Sequence, residues 1–166
     1  MRTGLRRSKT VNGETTQHIW DGQNMAAEKA VGQTTNYIRS NRLVASEKAG
    51  VKSYYLYNVH GDVSMLTDGS QNIPQSYQYD AFGNQKNLSD TDLNPFRYCG
   101  EYYDSETGDI YLRARYYDSG VGRFNTEDPA LDGLNWYVYC MGNPVNHFDP
   151  SGMKFAGSDR ECTIAG

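Results

Sequence analysis

The chain has 166 residues, 16 basic and 20 acidic side chains and a formal net charge of −4, room for one domain or for a piece of a larger one. A mean hydropathy of −0.76 and 37% hydrophobic residues are lean for a packed globule, yet 14 Tyr, 5 Phe and 2 Trp exclude the aromatic-poor composition of a disordered chain. The mild acidity without a clustered basic stripe argues against a nucleic-acid partner, and no run approaches the roughly 18 apolar residues of a membrane span.

From the N-terminus, the opening stretch through Glu14 carries basic residues with no apolar segment behind them, so it does not read as a signal peptide. An export signal would lie elsewhere. Asn12-Gly13 is the first tight-turn signal and Asp68-Gly69 a second, each between polar strands. A unit made of an aromatic, an acidic or amide residue, a short gap and a glycine then recurs. It appears as Trp20-Asp21-Gly22, as Tyr57-Asn58 with Gly61, and as Tyr79-Asp80 with Gly83. It returns as Tyr103-Asp104 with Gly108, and as Tyr117-Asp118 with Gly120 and Gly122-Arg123. The intervals Tyr57–Tyr79 and Tyr79–Tyr103 are 22 and 24 residues, the mark of a repeat array. In each unit the tyrosine packs at the end of a strand. The Asp or Asn then opens a turn by bonding backbone amides ahead of it, and the glycine supplies a positive φ.

The alternation in Tyr111-Leu112-Arg113-Ala114-Arg115-Tyr116-Tyr117 predicts one strand with residues 111, 113, 115 and 117 on one face. The first 118 residues thus read as a succession of β-hairpins. The pattern changes near residue 119, and Asp128-Pro129 closes the strand region. Leu134, Tyr137, Val138 and Met141, spaced i, i+3, i+4, i+7, predict a short amphipathic helix ended by Gly142, Asn143 and Pro144. Asp149-Pro150-Ser151-Gly152 is turn-forming, and residues 154–166 form a short polar tail.

Three cysteines, Cys99, Cys140 and Cys162, lack both the even count of a disulfide framework and metal spacing. Cys99 and Cys140 read as small buried apolar residues. His18, His60 and His147 are scattered and take no role. Asp104-Ser105-Glu106-Thr107-Gly108-Asp109 lacks EF-hand spacing and reads as a hairpin turn rather than a calcium loop. Arg123 reads as pairing with a surface carboxylate.

The stretch from Phe96 to Met153 resembles the core domain that closes Rhs proteins, the YD-repeat family of bacterial polymorphic toxins. The residues that carry the likeness are Arg97-Tyr98, Gly100-Glu101-Tyr102-Tyr103-Asp104, Glu106-Thr107-Gly108 and Tyr111 through Asp118. They continue with Gly122-Arg123-Phe124, Asp128-Pro129, Gly133-Leu134-Asn135, Tyr137, Asn143-Pro144-Val145-Asn146 and Asp149-Pro150-Ser151-Gly152. Upstream, Tyr57-Asn58 with His60-Gly61-Asp62-Val63, and Tyr77 through Asn84, resemble ordinary YD repeats.

The resemblance implies an all-β fold of antiparallel YD-repeat hairpins forming part of a spiral β-shell, with a short helical element in the C-terminal plug. It divides the chain into YD repeats over 1–95, a core domain over 96–153 and a tail over 154–166. It also implies an aspartyl autoprotease acting only on its own chain. The paired aspartates fall on Asp128 and Asp149, and the cut falls between Met153 and Lys154. Here Asp128-Pro129-Ala130-Leu131 lacks the glycine that commonly follows the first pair, and Met153 stands where leucine is commonest. No cofactor is implied. The implied partners are the rest of an Rhs shell and an encapsulated C-terminal toxin, with an immunity protein or a cell-surface glycan beyond them. The implied location is secreted or cell-surface. The competing reading is a non-enzymatic extracellular β-repeat module that binds glycans or surface proteins.

Overall fold

Antiparallel hairpins account for most of the chain in the computed structural model, which describes residues 4–89, 91–131 and 133–157. Eight strands form one sheet in strict sequence order: β1 Ser8–Val11, β2 Glu14–Asp21, β3 Asn24–Ala30, β4 Gln33–Arg39, β5 Leu43–Lys48, β6 Val51–Tyr57, β7 Val63–Thr67 and β8 Gln75–Ser76. A second sheet, in the order β12-β11-β10-β9, comprises β9 Tyr102–Asp104, β10 Asp109–Leu112, β11 Arg115–Asp118 and β12 Arg123–Phe124. A two-stranded ribbon pairs β13 His147–Phe148 with β14 Ala156–Gly157.

The Asn12-Gly13 turn forms as the sequence predicts: Val11 pairs with Glu14 across a two-residue loop whose φ values are 50° and 85°, the twist that suits a hairpin. The register shifts between Ile19 and Trp20, between Ile38 and Arg39, and between Leu56 and Tyr57. These irregularities fall near the ends of β2, β4 and β6. A bulge bends its strand and increases the local twist, so a bend repeated on alternate strands curves the sheet.

The larger core lies between the two sheets. Met25, Tyr37, Leu43, Tyr55, Val63 and Leu66 from the first sheet meet Phe96, Tyr102 and Tyr111. Tyrosine dominates because each ring fills the gap while its hydroxyl reaches a partner: Tyr57 and Tyr79 donate to the carbonyls of Leu43 and Val63 at 2.7 and 3.1 Å. A second core of Tyr98, Ile110, Leu112, Tyr117, Phe124, Tyr139 and Cys140 lies under the smaller sheet. There the rings of Tyr117 and Tyr139 stack at 3.9 Å. The segment before β1 crosses to the smaller sheet. The Arg6 amide donates to the Tyr111 hydroxyl at 2.8 Å, and the Arg6 guanidinium pairs with buried Asp104. The same Asp104 takes Lys9 at 2.9 Å, so the acidic turn that follows it is tied to cations of this chain.

Three expectations are corrected. The strand expected over 111–117 is two strands, because Leu112 pairs with Arg115 across a two-residue turn at Arg113-Ala114. Arg113 takes a φ of 62° there, held by its side-chain bonds to the Gln23 carbonyl at 3.0 Å and the Glu101 carboxylate at 2.8 Å. The amphipathic helix over 134–141 does not form. Leu134 and Met141 are exposed, Val138 is drawn into a β-bridge with Arg123, and the helical element reduces to a 3-10 turn at Cys140–Gly142. The turn at Asp68-Gly69 is not a tight two-residue one. It is a five-residue loop, and the residue with positive φ is Gln71, at 67°.

Candidate active site

The β10–β11 turn presents two arginines to the loop that follows β13, and that loop is the Asp-Pro-Ser-Gly string. Arg113 donates to the Pro150 carbonyl and Arg115 Nε to the Gly152 carbonyl. The Ala114 amide donates to the Ser151 carbonyl at 3.1 Å. Gly152 sits at φ +67°, and a Cβ on it would come within 2.5 Å of the Leu112 carbonyl and 2.9 Å of the Arg115 amide. Only glycine lets the loop lie this close to the hairpin.

Asp149 is buried and organises the loop from within. Its Oδ1 accepts from the Ser151 amide at 3.0 Å, the Ser151 hydroxyl at 3.1 Å, the Gly152 amide at 2.9 Å and the Lys154 amide at 3.3 Å. Asp128, 9% exposed, uses Oδ1 to accept from the Ala130 amide at 2.8 Å. Both aspartates turn Oδ2 to one cation: Arg115 Nη2 lies 3.5 Å from Asp128 and 3.9 Å from Asp149. The fold thus brings the two sequence-predicted aspartates to a shared neighbour, with a guanidinium set between them. Burial lowers the Arg115 proton affinity below its usual value, and the two carboxylates offset only part of that. The ring of Phe124 lies 3.6 Å beneath its guanidinium carbon, and Nη1 donates to the Trp136 carbonyl at 3.0 Å.

Met153 is half-buried and Lys154 exposed. An open cleft of about 630 Å³, lined by Leu5, Gln23, Ala114, Pro129, Pro150 and Met153 among others, borders the loop. Beyond Lys154 the chain turns back. β14 pairs with β13, and the Phe155 ring lies 5.0 Å from His147. The tail from residue 158, including Cys162, lies outside the described residues.

Arg115 is the site residue that sequence reasoning left unassigned. The signal was the Arg113-Ala114-Arg115 run, which reads as one continuous strand with both arginines on the same face. Arg123, expected to pair with a surface carboxylate, is exposed on β12. A second open groove of about 580 Å³ runs along the large sheet past Glu28, Tyr37, Ser46, Tyr55, Asn94 and Tyr102.

The sequence profile of the family described as Teneurin YD-shell matches residues 28–139. The tRNA3(Ser)-specific nuclease WapA of Bacillus spizizenii is 39% identical over 164 residues, which cover 90% of this chain and 7% of the nuclease. Double-stranded DNA deaminase toxin A of Burkholderia cenocepacia is 28% identical over 181 residues, covering 92% of this chain and 12% of the toxin. The chain is therefore about a tenth of the length of these relatives. Among solved structures, the Photorhabdus luminescens Tc holotoxin pore matches in fold with a TM-score of 0.68 at 21% identity, over 92% of this chain and 8% of that one.

Proposed function

This chain belongs to the teneurin YD-shell family, as a toxin-associated Rhs/YD shell module, and we propose that it is the closing segment of a shell around a C-terminal toxin and cuts itself after Met153. In this reading residues 1–95 are shell wall and residues 96–153 are the plug. The partners are the preceding turns of the same shell and the toxin behind the cut, and the assembly is secreted or displayed at the cell surface. An immunity protein would meet the toxin rather than this segment.

The observation that carries the reading is the convergence of Asp128, Asp149 and Arg115 on one loop. Arg115 bonds the carbonyl of Gly152 while it faces both carboxylates, and Asp149 lies 3.3 Å from the Lys154 nitrogen. Asp128 takes a proton from a water whose oxygen adds to the Met153 carbonyl carbon. Asp149, whose Oδ1 accepts the Lys154 N–H, holds that nitrogen in place, and the proton taken by Asp128 passes to it as the C–N bond breaks. The products are a carboxylate at Met153 and an amine at Lys154. Arg115 offsets the negative charge that gathers as the carbonyl becomes tetrahedral, and its grip on Gly152 keeps the scissile peptide beside the carboxylates.

The test is the intact mass of the purified protein beside Asp128→Asn and Asp149→Asn, with circular dichroism on all three. The expected result is a wild type that has lost residues 154–166 and variants that keep them. A folded wild type of full mass overturns self-cleavage and leaves the shell segment. The alternative role as a glycan-binding module draws on the tyrosine-lined groove of the large sheet.

A further inference from the structure

The loop between β6 and β7 and the 3-10 turn at Tyr98–Gly100 meet on the flank of the second core. His60 Nδ1 lies 2.8 Å from Asp62 Oδ1. Cys99 Sγ lies 3.9 Å from the same Nδ1. One donor atom from each residue, a nitrogen, an oxygen and a sulfur, falls within 4.8 Å of the other two. We propose that His60, Asp62 and Cys99 are a binding site for a divalent cation of the zinc class.

The donors suit that ion. Zinc takes imidazole nitrogen, carboxylate oxygen and thiolate sulfur together, at about 2.0–2.3 Å. Ligands sharing such an ion stand roughly 3–4 Å apart; the His60–Cys99 separation of 3.9 Å suits it already, and the His60–Asp62 contact at 2.8 Å would widen slightly. Hard cations that prefer all-oxygen shells are disfavoured by the sulfur and nitrogen. The neighbouring groups hold the ligands in place, as the partners of metal ligands do. Asp62 is fixed by the Asn58 side-chain amide at 2.8 Å and accepts the Cys99 amide at 2.9 Å. The His60 ring also lies against the backbone carbonyls of Pro144 and His147. The Tyr139 hydroxyl stands 3.9 Å from Cys99 Sγ, which leaves it or a water for a fourth position. The His60 side chain is 18% exposed, so an ion reaches the ring from solvent.

Asp62 raises the proton affinity of His60, and burial pushes the Cys99 thiol well above its usual range. A metal ion therefore competes with protons here: it bonds Nδ1 and Sγ, and the thiol proton and any proton at Nδ1 leave to solvent. The ion then joins three stretches of chain otherwise linked by packing, namely the β6–β7 loop, the turn carrying Cys99 and, through Tyr139, the segment leading into the Asp149 loop.

Titration of the purified full-length chain with Co²⁺ and then Zn²⁺ tests the site. The expected result is one Co²⁺ per chain with a thiolate-to-cobalt charge-transfer band that Zn²⁺ abolishes. Cys99→Ser removes the band, and His60→Asn weakens binding by at least the roughly 10–100-fold lost with an outer-sphere partner. Cys140→Ser and Cys162→Ser leave both unchanged. A folded wild type that shows no band overturns the proposal, whatever the variants do. So does a band that survives Cys99→Ser or disappears with Cys140→Ser.

Discussion

Arg115 and Gly152 show how much rests on single side chains. Arg115 is 4% exposed and faces two buried carboxylates, so Arg115→Met leaves both without their cation. Breaking a buried ion pair from one side costs about 3 kcal/mol or more, and urea unfolding should show that loss. Arg115→Lys keeps the charge but not the fork that reaches Gly152 and Trp136, and should recover only part of it. Gly152→Ala should cost at least about 2 kcal/mol, because a Cβ meets backbone on two sides at a left-handed φ. Glu28 supplies a pH dependence. Burial raises its proton affinity, but bonds from His18, Tyr102 and Tyr37 outweigh that and hold it below the usual carboxylate range. A depressed carboxylate stabilises the fold above its unfolded value of about 4.3, and that contribution disappears as pH falls through the folded value. The stability gap between wild type and Glu28→Gln should therefore be constant from pH 7 to about 5 and close below about 4.

At the scale of the element, the repeated unit is a five-residue loop with one hydrogen-bond scheme. Asp80 Oδ1 accepts the amides of Phe82 and Asn84, and its Oδ2 accepts the Asn84 side chain. Asp68 does the same with Ser70 and Asn72. Asn58 and Asp62 form a variant of it with the carboxylate and amide exchanged, in which Asn58 Oδ1 accepts the amides of Gly61 and Asp62. The fourth residue carries positive φ in all three: Gly61, Gln71 and Gly83. Asp80→Ala removes three bonds at an exposed turn and should lower stability by about 1 kcal/mol, read as a shift in the unfolding midpoint. These loops were legible in the sequence because local chemistry alone builds them. The Arg113-Ala114 turn was not, since it has neither glycine nor Asn and rests on Gln23, Glu101 and Pro150, three distant positions. The apolar spacing over 134–141 misled for the same reason. The core takes Tyr139 to stack on Tyr117 and leaves Leu134 and Met141 in water. The two aspartates were legible through the family string, whereas Arg115, and His60 beside Cys99, became visible only once separate turns were set side by side.

For the whole molecule, the eight-stranded sheet has β1 and β8 as its flanks, with no further strand beside either among the described residues. An unpaired strand offers a ladder to another chain, so the isolated protein should self-associate as concentration rises. Sedimentation velocity over a tenfold concentration range should show the weight-average size increasing, and a concentration-independent monomer would contradict the expectation. The contacts that close the molecule span great lengths of chain: Arg6 to Tyr111 across 105 positions, Arg113 to Gln23 across 90, and Arg115 to Gly152 across 37. Contacts of that reach form late, because long loops must close before any of them contributes. Synthesis runs from the N-terminus, so a nascent chain possesses both arginines well before the loop they grip has been made. The Asp149 loop is thus a clock as well as a joint. Whatever happens beside Lys154 waits until the β10–β11 hairpin has formed and the loop has reached it.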